Sequence, residues 1–193
     1  MIKKISLLFA MTLLTACLSP INTTQKNNYV LNTMPPIHSA TMVNPNVLLI
    51  SKPQLNAVMN NNNMVYLDGQ HQVGYFSENR WAAKPNDMLF SLLLSTLQQQ
   101  GGFKAVVAAP YGGRSDLRLD IVNFSVIQDF TTKPSVVRVK MDAQLSDMKQ
   151  QTVLKTRAIE ANVLSTGDTP KAGVVAANQA LAECLMQIVA FVN

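Results

Sequence analysis

The sequence is poor in the residues from which catalytic and metal sites are built. Its 193 residues include only two Cys and two His, and 14% of the side chains are charged. His38 and His71 are far apart in the chain, and no Cys-x-x-Cys pair occurs, so we predict no metal site. A Gly-x-Ser-x-Gly elbow and a phosphate-binding loop are also missing. We therefore predict a protein that is not an enzyme, with no catalytic residues and no cofactor.

Clustered basic charge is missing as well. The whole chain has a net charge of +5, but it contains no run of four or more basic residues. Its aromatic residues are not interleaved with Lys or Arg, which is the arrangement typical of nucleic-acid-binding surfaces. We therefore expect no nucleic-acid partner.

Long hydrophobic runs are limited to the beginning of the chain. Lys3 and Lys4 precede an apolar run over residues 5–14, and the small residues Thr15 and Ala16 follow it. A basic segment, a short apolar segment and small residues make a secretory signal peptide, which we place at residues 1–16. The run is shorter than the roughly 20 residues that a membrane span needs. We expect no later segment to replace it as a span.

The sequence Leu14-Thr15-Ala16-Cys17 resembles the lipobox of bacterial lipoproteins. That resemblance implies cleavage before Cys17 and diacylation of its sulfur, which would anchor the protein to a membrane. Stable anchoring takes at least two acyl chains, because a single chain gives only marginal binding. Leu18 rather than Asp follows the cysteine, so the lipoprotein pattern favours the periplasmic face of the outer membrane. Loss of Lys3 and Lys4 with the signal leaves a mature net charge of about +3.

Cys184 would have no cysteine partner once Cys17 is lipidated. It lies in an apolar stretch with helical periodicity. We therefore predict a buried, unreactive thiol.

Composition divides the mature chain into a tether and one domain. Residues 17–44 are rich in Asn, Thr and Pro, and we interpret them as the lipidated cysteine followed by a flexible tether. Within this tether a short extended piece, residues 29–31, could pair with a sheet. Residues 45–193 are the right length for a single domain.

Hydrophobic periodicity within residues 45–193 predicts a mixture of strands and helices. Residues 47–50 form an apolar strand, and Asp68-Gly69 lies between two short extended runs, which indicates a hairpin. Pro85 and Gly101 bound an amphipathic helix, and Thr169-Pro170 begins a second one. The strands predicted between the two helices are residues 103–109, 117–126, 137–145 and 153–164. The predicted fold is α+β, a mostly antiparallel sheet with two helices packed on one face.

Two polar groupings have a possible chemical meaning and a plain structural one. Gly112 and Gly113 beside Arg114 could form an anion nest, but a turn between strands is the favoured interpretation. Asp116 and Asp120 alternate on one strand and could act as acid and base. With Arg118 between them, a solvated strand face is favoured. The same strand changes its apolar phase near residue 122, which indicates a bulge or burial on both faces.

One stretch resembles the signature region of ABC-type transport auxiliary lipoproteins, which include the paraquat-inducible C-type lipoproteins. It consists of Tyr75, then Arg80-Trp81, then Pro85 and a leucine-rich helix. Members of the family also share a lipobox. The extended Tyr29-Val30-Leu31 and the closing Ala/Leu helix extend the resemblance over residues 29–192. Ala82 replaces the acidic residue that often follows the tryptophan.

This resemblance implies a non-catalytic docking subunit of a transport system for lipids or other hydrophobic molecules. Its implied partners are an MCE-domain (mammalian cell entry) protein and ABC transporter subunits, and a homo-oligomer stays open. Candidate partner-binding residues are Tyr75, Arg80 and Trp81, because Tyr, Arg and Trp dominate interface hot spots. For Trp81 we favour the alternative of a core position under the first helix. Two other functions stay open: a lipid-tethered periplasmic hydrolase and a structural lipoprotein of a secretion machine.

Overall fold

The computed structural model describes residues 25–37, 43–59, 61–69 and 71–193. The signal peptide, Cys17 and His38 lie outside these residues. Within them the regular elements are β1 (Asn27–Tyr29), β2 (Asn44–Ile50), β3 (Asn63–Leu67), β4 (Val73–Trp81), α1 (Pro85–Gln100), β5 (Phe103–Ala108), β6 (Leu117–Asp129), β7 (Val136–Asp147), β8 (Thr152–Leu164) and α2 (Pro170–Val192). A short 3-10 helix, Ala57–Met59, precedes β3.

Strand β6 is the centre of the sheet. One edge of β6 pairs antiparallel with β7, which in turn pairs antiparallel with β8. The other edge is shared: the beginning of β6 pairs parallel with β2, and its end pairs parallel with β3. Beyond β2 lies β5, and beyond β3 lie β4 and then β1. The sheet is therefore mixed, with its longest pairings antiparallel, and the predicted α+β class is confirmed.

The change of phase predicted in β6 is a β-bulge. The register with β7 shifts between Val122 and Ser125, and Asn123 has a backbone φ of +55°. This shift lets Leu119 and Ile121 before the bulge, and Phe124 after it, all be buried. The asparagine suits the position, because Asn tolerates the left-handed region better than most residues.

Both helices begin where the sequence predicts, and α1 also ends there. Pro85 starts α1, and Gly101 follows its end with a φ of +69°. Thr169 caps α2 by accepting a hydrogen bond from the Ala172 amide at 3.2 Å. The two helices contact each other, α1 over β5 and α2 over β7 and β8, so they share one face of the sheet as predicted.

Helix α2 provides much of the core. Ten of its residues are buried, among them Ala180, Leu181, Leu185 and Ile188. In the part of the chain that the structure describes, it is also the one helix long and apolar enough to cross a membrane. The expectation that no later segment has that character therefore needs correction. Its apolar composition has a structural cause here, since nearly half of its apolar window is buried inside the domain.

The folded domain begins earlier in the chain than the predicted residue 45. Residues 27–29 pair with β4 as strand β1, and Leu31 is only 3% exposed. Residues 25–37 therefore belong to the folded domain, in contrast to the predicted flexible tether that extends to residue 44. The difference arises because the backbone of an Asn- and Pro-rich segment can still form hydrogen bonds with distant parts of the domain, here β4 and Asn178. Composition does not reveal such bonds.

Candidate functional site

Two of the three predicted partner-binding residues are on the surface of β4. Tyr75 is 47% exposed, and its hydroxyl donates a hydrogen bond to the carbonyl of Val58 at 3.2 Å. Arg80 is exposed, and its Nε donates to the Asn28 side-chain oxygen at 2.8 Å across the β1–β4 pair. Both side chains are thus oriented by the protein and still accessible to another molecule.

Trp81 is not on this surface. It is 2% exposed, so the interpretation of Trp81 as a direct partner contact is wrong and the favoured core position is right. Trp81 borders a narrow internal gap together with Gly173 and Ala177 of α2.

A segment that we name the strap, residues 30–37, crosses the outside of both helices. Asn178 of α2 binds its backbone three times. The amides of Asn32 and Thr33 donate to the Asn178 Oδ1 at 2.8 and 3.1 Å, and the Asn178 Nδ2 donates to the Val30 carbonyl at 3.0 Å. One side chain therefore satisfies the backbone of a segment that has no strand partner there.

Further along, the strap is attached to α1. The Gln100 Nε2 donates to the carbonyl of Pro36 at 3.2 Å, and the Thr96 hydroxyl lies 3.8 Å from the Met34 sulfur. Thr96 and Gln100 are both buried. Their burial follows from the strap that covers them.

An open groove of about 590 Å³ lies between the strap and α1. Its lining residues come from the strap, from the turn after β4 and from one stripe of α1: Val30, Leu31, Asn32, Ala82, Ala83, Asp87, Met88, Ser91, Leu92 and Ser95. Leu31 and Leu92 are almost fully buried at its base. The Leu31 amide also points at the Met88 sulfur, 3.4 Å away. The groove is thus mostly apolar and is fixed on one side by the strap.

Charged groups lie at the end of the groove where α1 begins. The Lys52 Nζ is 2.6 Å from the Asp87 Oδ1, and both side chains are substantially exposed. Lys84, which is exposed, occupies the N-cap position next to the lining residue Ala83. Two lysines and one carboxylate therefore give this end a net positive charge.

The other polar groups considered from sequence have structural roles. Asp116 accepts a hydrogen bond from the Val47 amide at 2.8 Å, and Asp120 forms an ion pair with Arg118 at 2.7 Å. Asp116 and Asp120 thus have separate partners, in contrast to an acid–base pair. Gly112 and Gly113 belong to an exposed loop between β5 and β6.

One carboxylate on β6 has a shifted pKa. Burial acts to raise the pKa of Asp129, but hydrogen bonds from Thr131 and the charge and hydrogen bond of Arg138 outweigh it, so the pKa is lowered. The Arg138 guanidinium lies 2.9 Å from the carboxylate. This pair joins the end of β6 to β7. Among the described residues, no group of three His, Cys, Asp or Glu could hold a metal ion.

Cys184 is fully buried in α2, as predicted. Its sulfur lies 3.8 Å from the carbonyl of Val139 on β7. Burial, together with the nearby carboxylates of Glu183 and Glu160, raises the pKa of the Cys184 thiol to about 12. A thiol of that pKa is almost entirely protonated at neutral pH, so it is neither a nucleophile nor a metal ligand.

Sequence reasoning missed the strap and the groove. The groove stripe on α1 has a weak signal, since Met88, Ser91, Leu92 and Ser95 recur at helical spacing with small serines among them. For Asn178 we find no local signal, because it is 146 residues from its partner Asn32.

Two solved structures have the same fold. A protein from Xanthomonas campestris of the DUF330 family is 20% identical, with a TM-score of 0.76 over 84% of this chain and 92% of its own. A second, described as an uncharacterized protein, is 18% identical, with a TM-score of 0.67 over 88% of this chain and 99% of its own. No curated protein matches the chain.

The family comparison agrees with the resemblance found in the sequence. The sequence model of the family described as ABC-type transport auxiliary lipoprotein component matches residues 29–189, from the end of β1 almost to the end of α2. That range includes β4, the strap and the groove. The chain therefore belongs to the ABC-type transport auxiliary lipoprotein family.

Proposed function

We propose that this lipoprotein is a non-catalytic docking subunit of an ABC transport system that contains an MCE-domain protein and moves lipids or other hydrophobic molecules. The observation that carries the proposal is the family match, which spans residues 29–189 and so nearly the whole described domain. In such a system the ATPase and the permease supply energy and passage, and this subunit supplies attachment and contact.

The chemistry of the described residues supports contact rather than catalysis. The buried thiol of Cys184 has a pKa raised to about 12, and the shifted carboxylate of Asp129 is tied to Arg138. Enzymes need perturbed groups that are accessible to substrate. A third perturbed group, Glu160, is exposed beside another cavity of about 590 Å³, but it is paired with Lys140 at 3.0 Å. The perturbed groups among the described residues are therefore sealed or paired.

The proposed anchor is the lipidated Cys17 at the periplasmic face of the outer membrane. Ten peptide steps separate Cys17 from Asn27, where β1 begins. Even a fully extended chain of that length reaches only about 33–36 Å. The domain would therefore stay close to the membrane surface, in reach of a partner that approaches it. Cys17→Ser should abolish incorporation of labelled palmitate.

Tyr75 and Arg80 are the residues we propose for the partner contact. Both are exposed on β4 and both are oriented by a hydrogen bond, to Val58 and Asn28 respectively. Ordered aromatic and arginine side chains lose little conformational entropy on binding, which favours them at interfaces.

The experiment is co-purification of the full-length lipoprotein with the MCE-domain protein of its transport system. Tyr75→Ala and Arg80→Ala should each reduce recovery of that protein while thermal melting changes little. Tyr111→Ala and Arg114→Ala are matched controls, since they remove the same side chains from an exposed loop elsewhere. These controls should keep the partner.

Two results would contradict the proposal. One is equal recovery of the MCE-domain protein by the β4 variants and the loop controls, which would exclude β4 as the contact. The other is hydrolysis of lipid or peptidoglycan by the purified protein with no partner recovered. That second result would favour the lipid-tethered hydrolase.

A further inference from the structure

We propose that the groove between the strap and α1 binds one acyl chain of an anionic phospholipid, with the headgroup at the Lys84 end. This inference rests on the proposed function, because it assigns a contact site to the hydrophobic cargo of that system. It adds a ligand-binding role to a subunit otherwise regarded as a docking protein.

The dimensions of the groove fit a chain-like apolar ligand. Its α1 wall extends from Asp87 to Ser95, which at 1.5 Å per residue is about 12 Å. Its volume of about 590 Å³ is within the range of roughly 300–1,000 Å³ found for small-molecule sites. Along this length the walls are supplied by Leu31, Met88 and Leu92, with serines where a thin ligand can pass close to the helix.

A protein partner fits the groove less well than a lipid. Ten residues line it, whereas a stable protein interface uses about 20–30 residues on each side. The floor is also recessed, since Leu31 and Leu92 at its base are 3% and 8% exposed.

The charges are arranged for an amphiphile with an anionic headgroup. Lys84 is exposed where α1 begins, and Lys52 is close by in its ion pair with Asp87. The far end of the α1 wall, at Ser91 and Ser95, is uncharged. A phospholipid has the same polarity, with one charged end and an apolar body. Asp87 offsets Lys52, so Lys84 supplies most of the attraction.

The groove can be entered from the side. It opens to solvent along the strap, where Val30 is 44% exposed and Ala82 and Ala83 are exposed. A chain could therefore enter or leave without unfolding of the domain. Met88 helps, because its flexible and polarizable side chain adapts to ligands of irregular shape. Such a site suits transient contact better than permanent storage.

The experiment uses the full-length lipidated protein in vesicles of phosphatidylglycerol that carries a photoactive diazirine in one acyl chain. After irradiation, mass spectrometry should locate adducts on residues 87–95 and 30–32. Ser91→Trp, which fills the groove from an exposed position, should lower adduct yield about tenfold, as expected when a competing side chain removes one tenfold step of affinity. Gln99→Trp places the same indole on α1 outside the groove and should leave the yield unchanged.

Thermal melting shows whether Ser91→Trp is folded. If that variant is unfolded, Ala83→Trp replaces it, because it fills the groove from the turn after β4. Lys84→Gln should lower the yield about two- to fivefold, as for loss of one exposed charge contact. An unchanged yield in Lys84→Gln would refute the headgroup assignment. Adducts spread evenly over the domain, or insensitive to both tryptophan variants, would overturn the inference.

Two further controls separate this inference from neighbouring ones. If a photoactive chain on Cys17 labels the groove and the vesicle lipid does not, the occupant is the anchor of the protein itself and the phospholipid assignment fails. If groove labelling is absent while the MCE-domain protein still co-purifies, the groove inference fails and the docking proposal is unaffected.

Discussion

The two sides of the helical layer are held together by different forces. On one side, α2 lies on β7 and β8 through fully buried apolar residues such as Leu181, Leu185 and Ile188. On the other side, the strap contributes one core residue, Leu31, and is otherwise attached to the helices by a few hydrogen bonds, three of them with Asn178. The first contact is dense, and the second leaves a groove of about 590 Å³ beside it.

This difference separates the part that specifies the fold from the part that can respond to a ligand. A close-packed layer resists any change in volume, so α2 cannot shift without a large loss of stability. A segment held by a few partly exposed hydrogen bonds can open locally at much lower cost. We therefore assign stability to the α2 side and recognition to the strap side, and the variants below challenge that division.

The largest expected effect is on the α2 side. Trp81→Ala removes a side chain that is 2% exposed and borders α2. The cavity and the lost apolar contact should lower the free energy of unfolding by about 3–5 kcal/mol. Thermal or denaturant melting measures this change. Tyr111→Ala, at an exposed aromatic residue, should stay within about 0.5 kcal/mol. Comparable small losses in both variants would show that Trp81 does not support the core.

A smaller and more local effect is expected on the strap side. Asn178→Ala removes the side chain that binds three backbone groups of the strap. We expect a loss of about 1–3 kcal/mol, with faster amide exchange confined to residues 30–37. Gln179→Ala changes the neighbouring exposed position and is the control. Exchange that accelerates equally in β7 and β8 would contradict the division into two regions.

The smallest effect depends on pH and tests how well the α2 side excludes water. The pKa of Cys184 is raised from 9.0 to about 12 in the folded protein. Below pH 9 the thiol is protonated in both the folded and the unfolded protein, so it does not make the free energy of unfolding depend on pH. As pH rises from 9 towards 12, the unfolded state loses its proton first, so stability falls. At pH 10 the loss should be on the order of 1 kcal/mol. Cys184→Ala should lack this component, which paired melting curves at pH 8 and pH 10 would reveal. Identical pH dependence in both proteins would mean that the thiol is hydrated.

Local patterns predicted most of the elements. The alternation of Leu117, Leu119 and Ile121 and its change of phase before Phe124 indicated both β6 and its bulge, because strand periodicity is set by the chain itself. Proline and glycine placed the ends of α1, since their backbone preferences act locally. The resemblance to transport auxiliary lipoproteins, carried by Tyr75, Arg80-Trp81 and Pro85, was confirmed over residues 29–189.

Features that depend on distant residues were not predicted. Strands β2 and β3 both pair parallel with the same edge of β6, and neither strand has a sequence pattern that predicts this pairing. Composition predicts a tether for the residues of the strap, because the hydrogen bonds that hold them come from Asn178, about 145 residues further along the chain. The groove is formed jointly by the strap, the turn after β4 and α1, so the sequence of no single segment predicts it.

Hydrogen exchange tests the division most directly. Amide exchange of the full-length lipoprotein would be followed by mass spectrometry, alone and assembled with its transport partners in the membrane. We predict that assembly slows exchange in residues 25–37, in β4 and in the first half of α1, and leaves β6, β7 and α2 unchanged. Protection confined to β8 and α2, with none at the strap or β4, would contradict the assignment of recognition to the strap side.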